Sequence, residues 1–164
     1  MSDSRGNRTA AIIIGLVSDT HGLVRPGIFD VLAGVTQILH AGDVGGRAVL
    51  DELRAIAPVA AVYGNVDPPG PPLEAEFIAN VGGLAIHMSH GHELGSPTPE
   101  KLLARYAGDI LIYGHTHKAL VRRHEGRLVV NPGAAGPKRF NAVPSVARLT
   151  ISSGRAEVEI IELR

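Results

Sequence analysis

The stretch AAIIIGLVSDTHG, residues 10–22, joins an unbroken apolar run to an aspartate and a histidine. Such a continuous run of Ile, Leu and Val is typical of a strand that is buried on both faces in a parallel sheet. Asp19 and His21 follow at the end of this run. We therefore predict a buried first strand whose carboxyl end carries two polar side chains.

The same alternation continues through the first half of the chain. Helical spacing of apolar residues marks 26–34 and 46–57, and apolar strand-like runs mark 35–43 and 59–65. Strands that alternate with helices in this way predict a parallel sheet with right-handed crossovers.

The second half favours hairpins. Gly82-Gly83, Glu125-Gly126 and Ser153-Gly154 are turn signals between strand-like runs, and Thr98 is placed to cap a short helix. We predict an α/β fold in which two facing mixed β-sheets are flanked by helices, a four-layer αββα sandwich. We expect residues 1–164 to form one domain and residues 1–9 to be a flexible tail.

Composition narrows the function classes. The 164 residues include 16 basic and 16 acidic side chains, six Tyr and Phe together, no Trp and no Cys. Disulfides and thiolate metal sites are excluded, and strong nucleic-acid binding is not expected without a basic field and stacking side chains. The longest apolar run, residues 10–17, is too short to span a bilayer. We expect a cytoplasmic protein without membrane contact and leave a homo-oligomer open.

Several predicted strands end in side chains that bind metals. They are Asp19 and His21, Asp43, Asn65 and Asp67, His90 and His92, and His115 and His117. Ligand sites in α/β sheets lie beyond the carboxyl ends of strands, so these loops are expected to converge. Carboxylate oxygens combined with imidazole nitrogens suit Mn, Fe, Zn or Ni. The alternatives are that Asp19 and His21 cap the next helix and that His40 is a hydrogen-bonded core residue.

The ordered motifs D-x-H, G-D, G-N-x-D, H-G-H and G-H-x-H resemble the calcineurin-like metallophosphoesterase superfamily. The small YfcE-type phosphodiesterases, which are related to the vacuolar sorting scaffold Vps29, are the most similar branch, and the resemblance runs from Asp19 to Arg139. It implies two divalent ions, with Mn favoured, and attack of a bridging hydroxide on a small phosphodiester. By the same resemblance Asp19, His21 and His117 hold one metal, Asn65, His90 and His115 hold the other, and Asp43 bridges them.

Two positions depart from the family pattern. Val66 stands where many members have a histidine that assists the leaving group, and Ala134 replaces a serine after Asn-Pro-Gly. The general acid is therefore unidentified, and the loop that carries Ala134 is expected to lose some rigidity.

Other residues are assigned to supporting or substrate-contacting roles. We expect Asp67 to have a structural role or to orient a histidine ligand through its other ring nitrogen, and His92 either to support a ligand or to contact substrate. Lys138 and Arg139 follow the Asn-Pro-Gly loop and are candidates for phosphate contact.

The main prediction is a dinuclear metal-dependent phosphodiesterase. The alternatives are a non-catalytic Vps29-like protein-binding scaffold and a phosphomonoesterase or nuclease. Substrate specificity is expected to depend on the loops at 67–76 and 93–99, whose shape the sequence does not give.

Overall fold

The computed structural model describes residues 10–139 and 141–164, so the predicted tail at 1–9 lies outside the described residues. The strands are β1 (Ile12–Val17), β2 (Gln37–His40), β3 (Val59–Ala61), β4 (Glu76–Val81), β5 (Leu84–Ser89), β6 (Ile110–Ile112), β7 (Leu120–His124), β8 (Arg127–Asn131), β9 (Ser145–Ser152) and β10 (Arg155–Glu162). The helices are α1 (Gly27–Val31), α2 (Arg47–Leu53) and α3 (Pro99–Arg105), and a 3₁₀ turn covers His92–Leu94. None of these helices has the length and apolarity that crossing a bilayer requires.

The strands form two five-stranded mixed sheets, which confirms the predicted fold class. The first sheet has the order β10-β9-β1-β2-β3 and the second has the order β4-β5-β6-β8-β7. The parallel pairs join β1, β2 and β3 at one edge of the first sheet and β5, β6 and β8 in the middle of the second.

The sequence order suggested that the first half of the chain would form parallel pairs and the second half antiparallel pairs. The structure does not follow that division. The C-terminal hairpin returns to the first sheet, where β9 pairs antiparallel with β1 and places Leu149 opposite Ile14. Ile14 and Leu16 of β1 face the second sheet, and Val17 faces the helices, so both faces of β1 are covered, which accounts for its continuous apolar run.

Three apolar clusters separate four layers. Side chains of both sheets meet in the central cluster, which includes Ile14, Leu16, Ile86, Ile112 and Leu149. A second cluster packs α1 and α2 on the first sheet through residues such as Ile28, Leu32, Leu50 and Leu53. A third packs α3 on the second sheet through Leu102 and Tyr106. Alternate residues of β1 serve the first two clusters, as the period of a strand requires.

The helices are shorter than the sequence pattern predicted. The segment 26–34 is helical only over Gly27–Val31, and 46–57 only over Arg47–Leu53, with turns completing each segment. The α3 boundary agrees with its prediction, since Thr98 Oγ1 accepts a hydrogen bond from the backbone N–H of Lys101 and Pro99 is the first helical residue.

Candidate metal centre

Five strand-end loops meet at one edge of the sandwich and bring the predicted ligands together. Four of these residues come from the first sheet, Asp19, His21, Asp43 and Asn65, and three from the second, His90, His115 and His117. Two groups within them have ligand atoms that all lie within 4.8 Å of one another: Asp19, His21, Asp43 and His117 form one, and Asp43, His90 and His115 form the other.

The first group is centred on the Asp19 carboxylate. Its Oδ1 atom lies 3.2 Å from His117 Nε2 and 3.8 Å from His21 Nε2, and His21 Nε2 lies 3.6 Å from Asp43 Oδ2. Two ligands that each lie ~2.0–2.1 Å from one ion are about 3.0–3.4 Å apart in octahedral or tetrahedral geometry. The observed separations are therefore close to those of ligands around a single cation.

The second group shares Asp43 with the first. His90 Nε2 lies 3.3 Å from Asp43 Oδ2, the oxygen that also faces His21. Asn65 Oδ1 lies 3.1 Å from His90 Nε2 and 3.1 Å from His115 Nδ1, which adds an amide oxygen to this group. One carboxylate that belongs to two ligand groups is the arrangement needed to bridge a pair of ions.

Hydrogen bonds behind these side chains leave their lone pairs directed at the centre. The Nδ1 atom of His90 lies 2.8 Å from the Ala41 carbonyl oxygen, an arrangement in which Nδ1 carries the proton and neutral Nε2 is free to accept. Asp19 Oδ2 accepts from the Ser18 hydroxyl and from the backbone N–H of His115, at 2.6 and 3.1 Å.

Two buried ligand atoms have no hydrogen-bond partner among the described residues. They are Asp19 Oδ1 and His21 Nε2, both of which face the centre. A buried acceptor without a donor is costly, by about 1–3 kcal/mol. A cation between these atoms would remove that cost, so the residues present fit a metal ion.

The backbone is left-handed at five of the seven candidate ligands. The φ angles are 53° at Asp19, 46° at His21, 52° at Asp43, 70° at His115 and 61° at His117. The only other non-glycine residues with positive φ in the described part of the chain are Glu125 and Ser153, in hairpin turns. Such conformations are unfavourable for side chains with a Cβ and cluster at functional sites. They also place His115 and His117 in different ligand groups, as the sequence analysis expected, although extended residues two apart would share a face.

Ionisation favours ligands without protons. Burial raises the pKa of Asp43, but the hydrogen bond and charge of His90 and the backbone N–H of Val66 outweigh it and lower the pKa to about 2. Burial raises the pKa of Asp19, but the nearby His117 and His90 rings and the Ser18 hydroxyl outweigh it, so this pKa is also lowered. Both carboxylates are therefore ionised at neutral pH.

The histidines divide into two classes. Burial lowers the pKa of His21 and of His115, despite the nearby carboxylates. At His90 the carboxylates prevail, because the hydrogen bond to Asp43 and the charge of Asp19 outweigh burial and raise its pKa.

A chain of hydrogen bonds through His40 joins the first two ligand loops. The backbone N–H of Gly42 donates to His40 Nδ1 at 3.1 Å, so neutral His40 carries its proton on Nε2 and donates to Thr20 Oγ1 at 2.9 Å. The Thr20 hydroxyl then donates to the Val44 carbonyl oxygen at 2.7 Å. Thr20 lies between Asp19 and His21, and Gly42 and Val44 flank Asp43, so this chain fixes three candidate ligands.

Asp67 contacts the backbone of the ligand loops rather than a histidine ring. Its carboxylate accepts hydrogen bonds from the backbone N–H groups of Val44, Gly45 and Gly64, at 3.0, 3.1 and 2.8 Å. Among the described hydrogen bonds Asp67 contacts no histidine. The Nδ1 atom of His90 bonds instead to the Ala41 carbonyl oxygen. Asp67 instead holds the loop that carries Asp43 against the loop that carries Asn65.

The Asn-Pro-Gly loop is held by Asn131 and Ser145, which the sequence analysis did not single out. Asn131 Nδ2 donates to the Gly114 carbonyl oxygen and to Thr116 Oγ1, each at 3.0 Å, and Ser145 Oγ donates to the Pro132 carbonyl oxygen at 2.7 Å. These contacts fix the loop that carries His115 and His117 and provide order that Ala134 does not. The only sequence signals for these two residues were that Asn131 begins the Asn-Pro-Gly motif and that Ser145 is a polar residue after the loop.

The remaining predicted residues lie around this centre. The His92 ring lies 5.3 Å from the His90 ring and 6.4 Å from the His115 ring, outside both ligand groups. Lys138 and Arg139 are exposed and line a small cleft with His117, and the Arg139 charge contributes to the lowered pKa of His21. Val66 is 56% exposed beside Asn65 and has no proton to donate.

The helix-cap alternative for Asp19 and His21 is wrong. The residue that precedes α1 is Pro26, and no side chain caps that helix. His40 was expected to be a hydrogen-bonded core residue, and it is fully buried and hydrogen-bonded to Thr20.

Comparison with known proteins identifies the family of this chain. The profile of the calcineurin-like phosphoesterase superfamily domain matches residues 12–154. A protein of Methanothermobacter thermautotrophicus named "probable metallophosphoesterase" is 33% identical over 161 residues, which cover 92% of each chain. A protein of Methanocaldococcus jannaschii named as a phosphodiesterase is 29% identical over 139 residues, 73% of this chain and 82% of its own.

A solved structure shows the same fold. Vacuolar protein sorting 29 from Cryptosporidium parvum superposes with a TM-score of 0.79 at 23% identity, over 94% of this chain and 99% of its own. The chain belongs to the calcineurin-like phosphoesterase superfamily.

Proposed function

We propose that the protein is a phosphodiesterase that works with two divalent metal ions. One ion would be held by Asp19, His21 and His117, the other by Asn65, His90 and His115, and Asp43 would contact both. The observation that carries this proposal is the position of Asp43 Oδ2, 3.6 Å from His21 Nε2 and 3.3 Å from His90 Nε2. Two-metal hydrolases hold their ions about 3.5–4 Å apart, a distance that one carboxylate bridges.

The ions would supply Lewis acidity and lower the pKa of bound water. The chain's own residues fix the geometry: Asp19 and Asp43 neutralise the charge of the ions, and the neutral Asn65 amide adds none. Lys138 and Arg139 would contact the phosphate from the side of His117, where they are exposed and form no ion pair among the described residues. His92 would contact the substrate from the side of His90 and His115.

The leaving group receives little help from the chain at position 66. Val66 cannot protonate an alkoxide, so the enzyme is expected to favour esters whose leaving alcohol is acidic. Bis(p-nitrophenyl) phosphate meets that requirement because its leaving group, the p-nitrophenolate anion, is a weak base that needs no proton.

A substitution at Asp43 tests the two-metal arrangement. Purified protein with Mn²⁺ is expected to hydrolyse bis(p-nitrophenyl) phosphate, and Asp43→Ala to abolish that activity and reduce bound metal from two ions per chain. Asp30→Ala is the matched control, because Asp30 is an exposed aspartate on α1. Full activity of the Asp43 variant would overturn the proposal.

The metal and the ester class are tested together. Metal analysis of the purified protein is expected to find Mn, with Fe, Zn or Ni as the other ions that this mixed oxygen and nitrogen set suits. A panel of phosphomonoesters and phosphodiesters is expected to show turnover of diesters. A preference for monoesters would make the protein a phosphomonoesterase.

A protein-binding scaffold is the second candidate function, and the similarity to vacuolar protein sorting 29 favours it. All seven candidate positions carry metal-ligand side chains, with lone pairs directed at one centre, which supports catalysis instead. If the protein binds metal but hydrolyses no ester with any of the metals, a protein-binding scaffold becomes the better explanation.

A further inference from the structure

A pocket lies beside the second ligand group. Its volume is about 230 Å³, and its lining includes Tyr63, His92, Glu93, Arg105 and Tyr106. The loop at 93–99 contributes Glu93, and the loop at 67–76 contributes Ala75 and Glu76 to the same lining. None of them belongs to the candidate ligand set.

The ligand loops themselves connect this pocket to the metal centre. Tyr63 precedes Asn65 by two residues, and His92 follows His90 by two residues, so each is within ~7 Å of a candidate ligand along the backbone. The His92 ring lies 5.3 Å from the His90 ring and 6.4 Å from the Tyr63 ring. A group esterified to a phosphate at the centre therefore needs to extend only past His92 to enter the pocket.

Aromatic rings form the walls. The Tyr63 and His92 rings lie 6.4 Å apart and are inclined at 56° to each other. The Tyr106 ring stacks on His87, with centroids 3.9 Å apart and planes inclined at 21°.

The Tyr106 wall is held in place by hydrogen bonds. The Tyr106 hydroxyl donates to Glu93 Oε1 at 2.7 Å, and Glu93 Oε2 accepts from the backbone N–H of Gly91 at 3.0 Å. Because Gly91 lies between His90 and His92, this contact ties the pocket wall to the ligand loop. The wall is therefore fixed before any ligand arrives, which reduces the entropic cost of binding.

A guanidinium group stands at the pocket rim. Arg105 Cζ lies 5.1 Å from the centroid of the Tyr106 ring, and this exposed residue forms no ion pair among the described residues. Its N–H donors remain available to acceptor atoms on a ligand, such as carbonyl, nitro or ring nitrogen groups. Flat aromatic walls and one cationic donor match a planar ring that carries acceptors.

We propose that this pocket binds a planar aromatic or heteroaromatic ring in one ester group of the substrate, so that the enzyme prefers aryl or nucleoside phosphoesters to alkyl ones. The inference rests on the proposed function, because the pocket selects a substituent of a phosphate that the metal centre holds. Tyr63 and His92 contact the ring, and Arg105 contacts its polar edge.

Binding of two phosphonates to the Mn²⁺-loaded protein tests the pocket without any reaction. Phenylphosphonate and methylphosphonate carry the same anionic group, and calorimetric titration is expected to give phenylphosphonate a Kd at least ~10-fold lower, since a buried ring gains both apolar contact and stacking. Tyr63→Leu is expected to reduce that ratio to about 2-fold or less, whereas Tyr63→Phe keeps the ring and the preference. Arg105→Gln, at an exposed position, is expected to weaken binding of p-nitrophenylphosphonate more than that of phenylphosphonate.

The outcomes separate this inference from the proposed function. Equal affinity for both phosphonates would overturn the ring pocket while leaving the phosphodiesterase intact, and binding of neither would overturn both. Adenosine 5′-monophosphate distinguishes the two sources of a ring: tighter binding than phenylphosphonate identifies a nucleoside, and weaker binding identifies a simple aryl group.

Discussion

Asp67 Oδ2 lies 3.0 Å from the backbone nitrogen of Val44, the residue after the shared carboxylate Asp43. The same carboxylate also accepts from Gly45 and Gly64, so three backbone donors depend on it. The position of Asp43 is thus set by a side chain that is not itself a candidate ligand.

Asp67→Asn is expected to weaken metal binding. An amide offers one acceptor oxygen and turns an NH₂ group toward N–H donors, so at least one hydrogen bond is lost at a cost of about 1–3 kcal/mol. Metal affinity is expected to fall by ~10–100-fold, the range typical of residues that orient ligands. Metal titration measures this, and Asp51→Asn is the control, because Asp51 is exposed and, within the described part of the chain, pairs only with Arg54. Unchanged affinity in Asp67→Asn would show that the loop keeps its shape without it.

Gly64→Ala is expected to displace Asp43. A Cβ at Gly64 would lie 2.0 Å from Asp43 Oδ1, closer than any real contact allows. We expect metal affinity and hydrolysis of bis(p-nitrophenyl) phosphate to drop by at least ~10-fold. Gly27→Ala is the control, since the nearest heavy atom to its Cβ would be 3.8 Å away. Retention of both properties in Gly64→Ala would contradict the close approach of the two loops.

His40 is expected to make the metal-free protein sensitive to acid. Burial lowers the pKa of His40 to about 4, so the unfolded chain, with an ordinary histidine pKa near ~6.5, binds the proton first. Stability is therefore retained above pH ~6.5 and lost as the pH falls toward 4, by on the order of 3 kcal/mol in all.

Urea unfolding of the metal-free protein between pH 7 and pH 4 measures this loss. His40→Asn is expected to be less stable at pH 7 and to show a shallower dependence on pH. His124→Gln is the control, because His124 is exposed on β7, and it should follow the wild-type curve. Parallel curves for His40→Asn and the wild type would assign the acid sensitivity to other groups.

Metal binding is expected to stabilise the fold. At a free Mn²⁺ concentration 100 times the Kd of one site the gain is about 2.7 kcal/mol, which corresponds to a rise in Tm of roughly 5–10 °C for a domain of this size. Calorimetry with Mn²⁺ and with a chelator measures the difference, and Asp43→Ala should reduce it strongly. A Tm that does not respond to Mn²⁺ would argue against tight metal binding.

Much of the fold and of the site geometry was predictable from short patterns. The run at 10–17 predicted a doubly buried strand, and polar residues after five strands predicted the edge at which Asp19 and His115 meet. Those signals are local, because each depends on residues that are neighbours in the chain.

What the sequence did not predict depends on distant contacts. The hydrogen bond between Thr20 and His40, and that between Asn131 and Gly114, join residues whose proximity is decided only when the loops pack. The return of β9 to the first sheet is of the same kind, since its alternating pattern would pack equally well on either sheet. The left-handed backbone at five candidate ligands also has no sequence signature, because Asp and His adopt many conformations elsewhere.

The candidate ligands are drawn from both sheets, four before β4 and three after β5. Neither portion of the chain alone contains a full set for the second group, since Asn65 and Asp43 lie in one portion and His90 and His115 in the other. Tight two-ion binding would therefore report that the two sheets have docked correctly. Two fragments of the chain, one ending before β4 and the other starting there, are therefore expected to regain metal-dependent activity only when they reassemble.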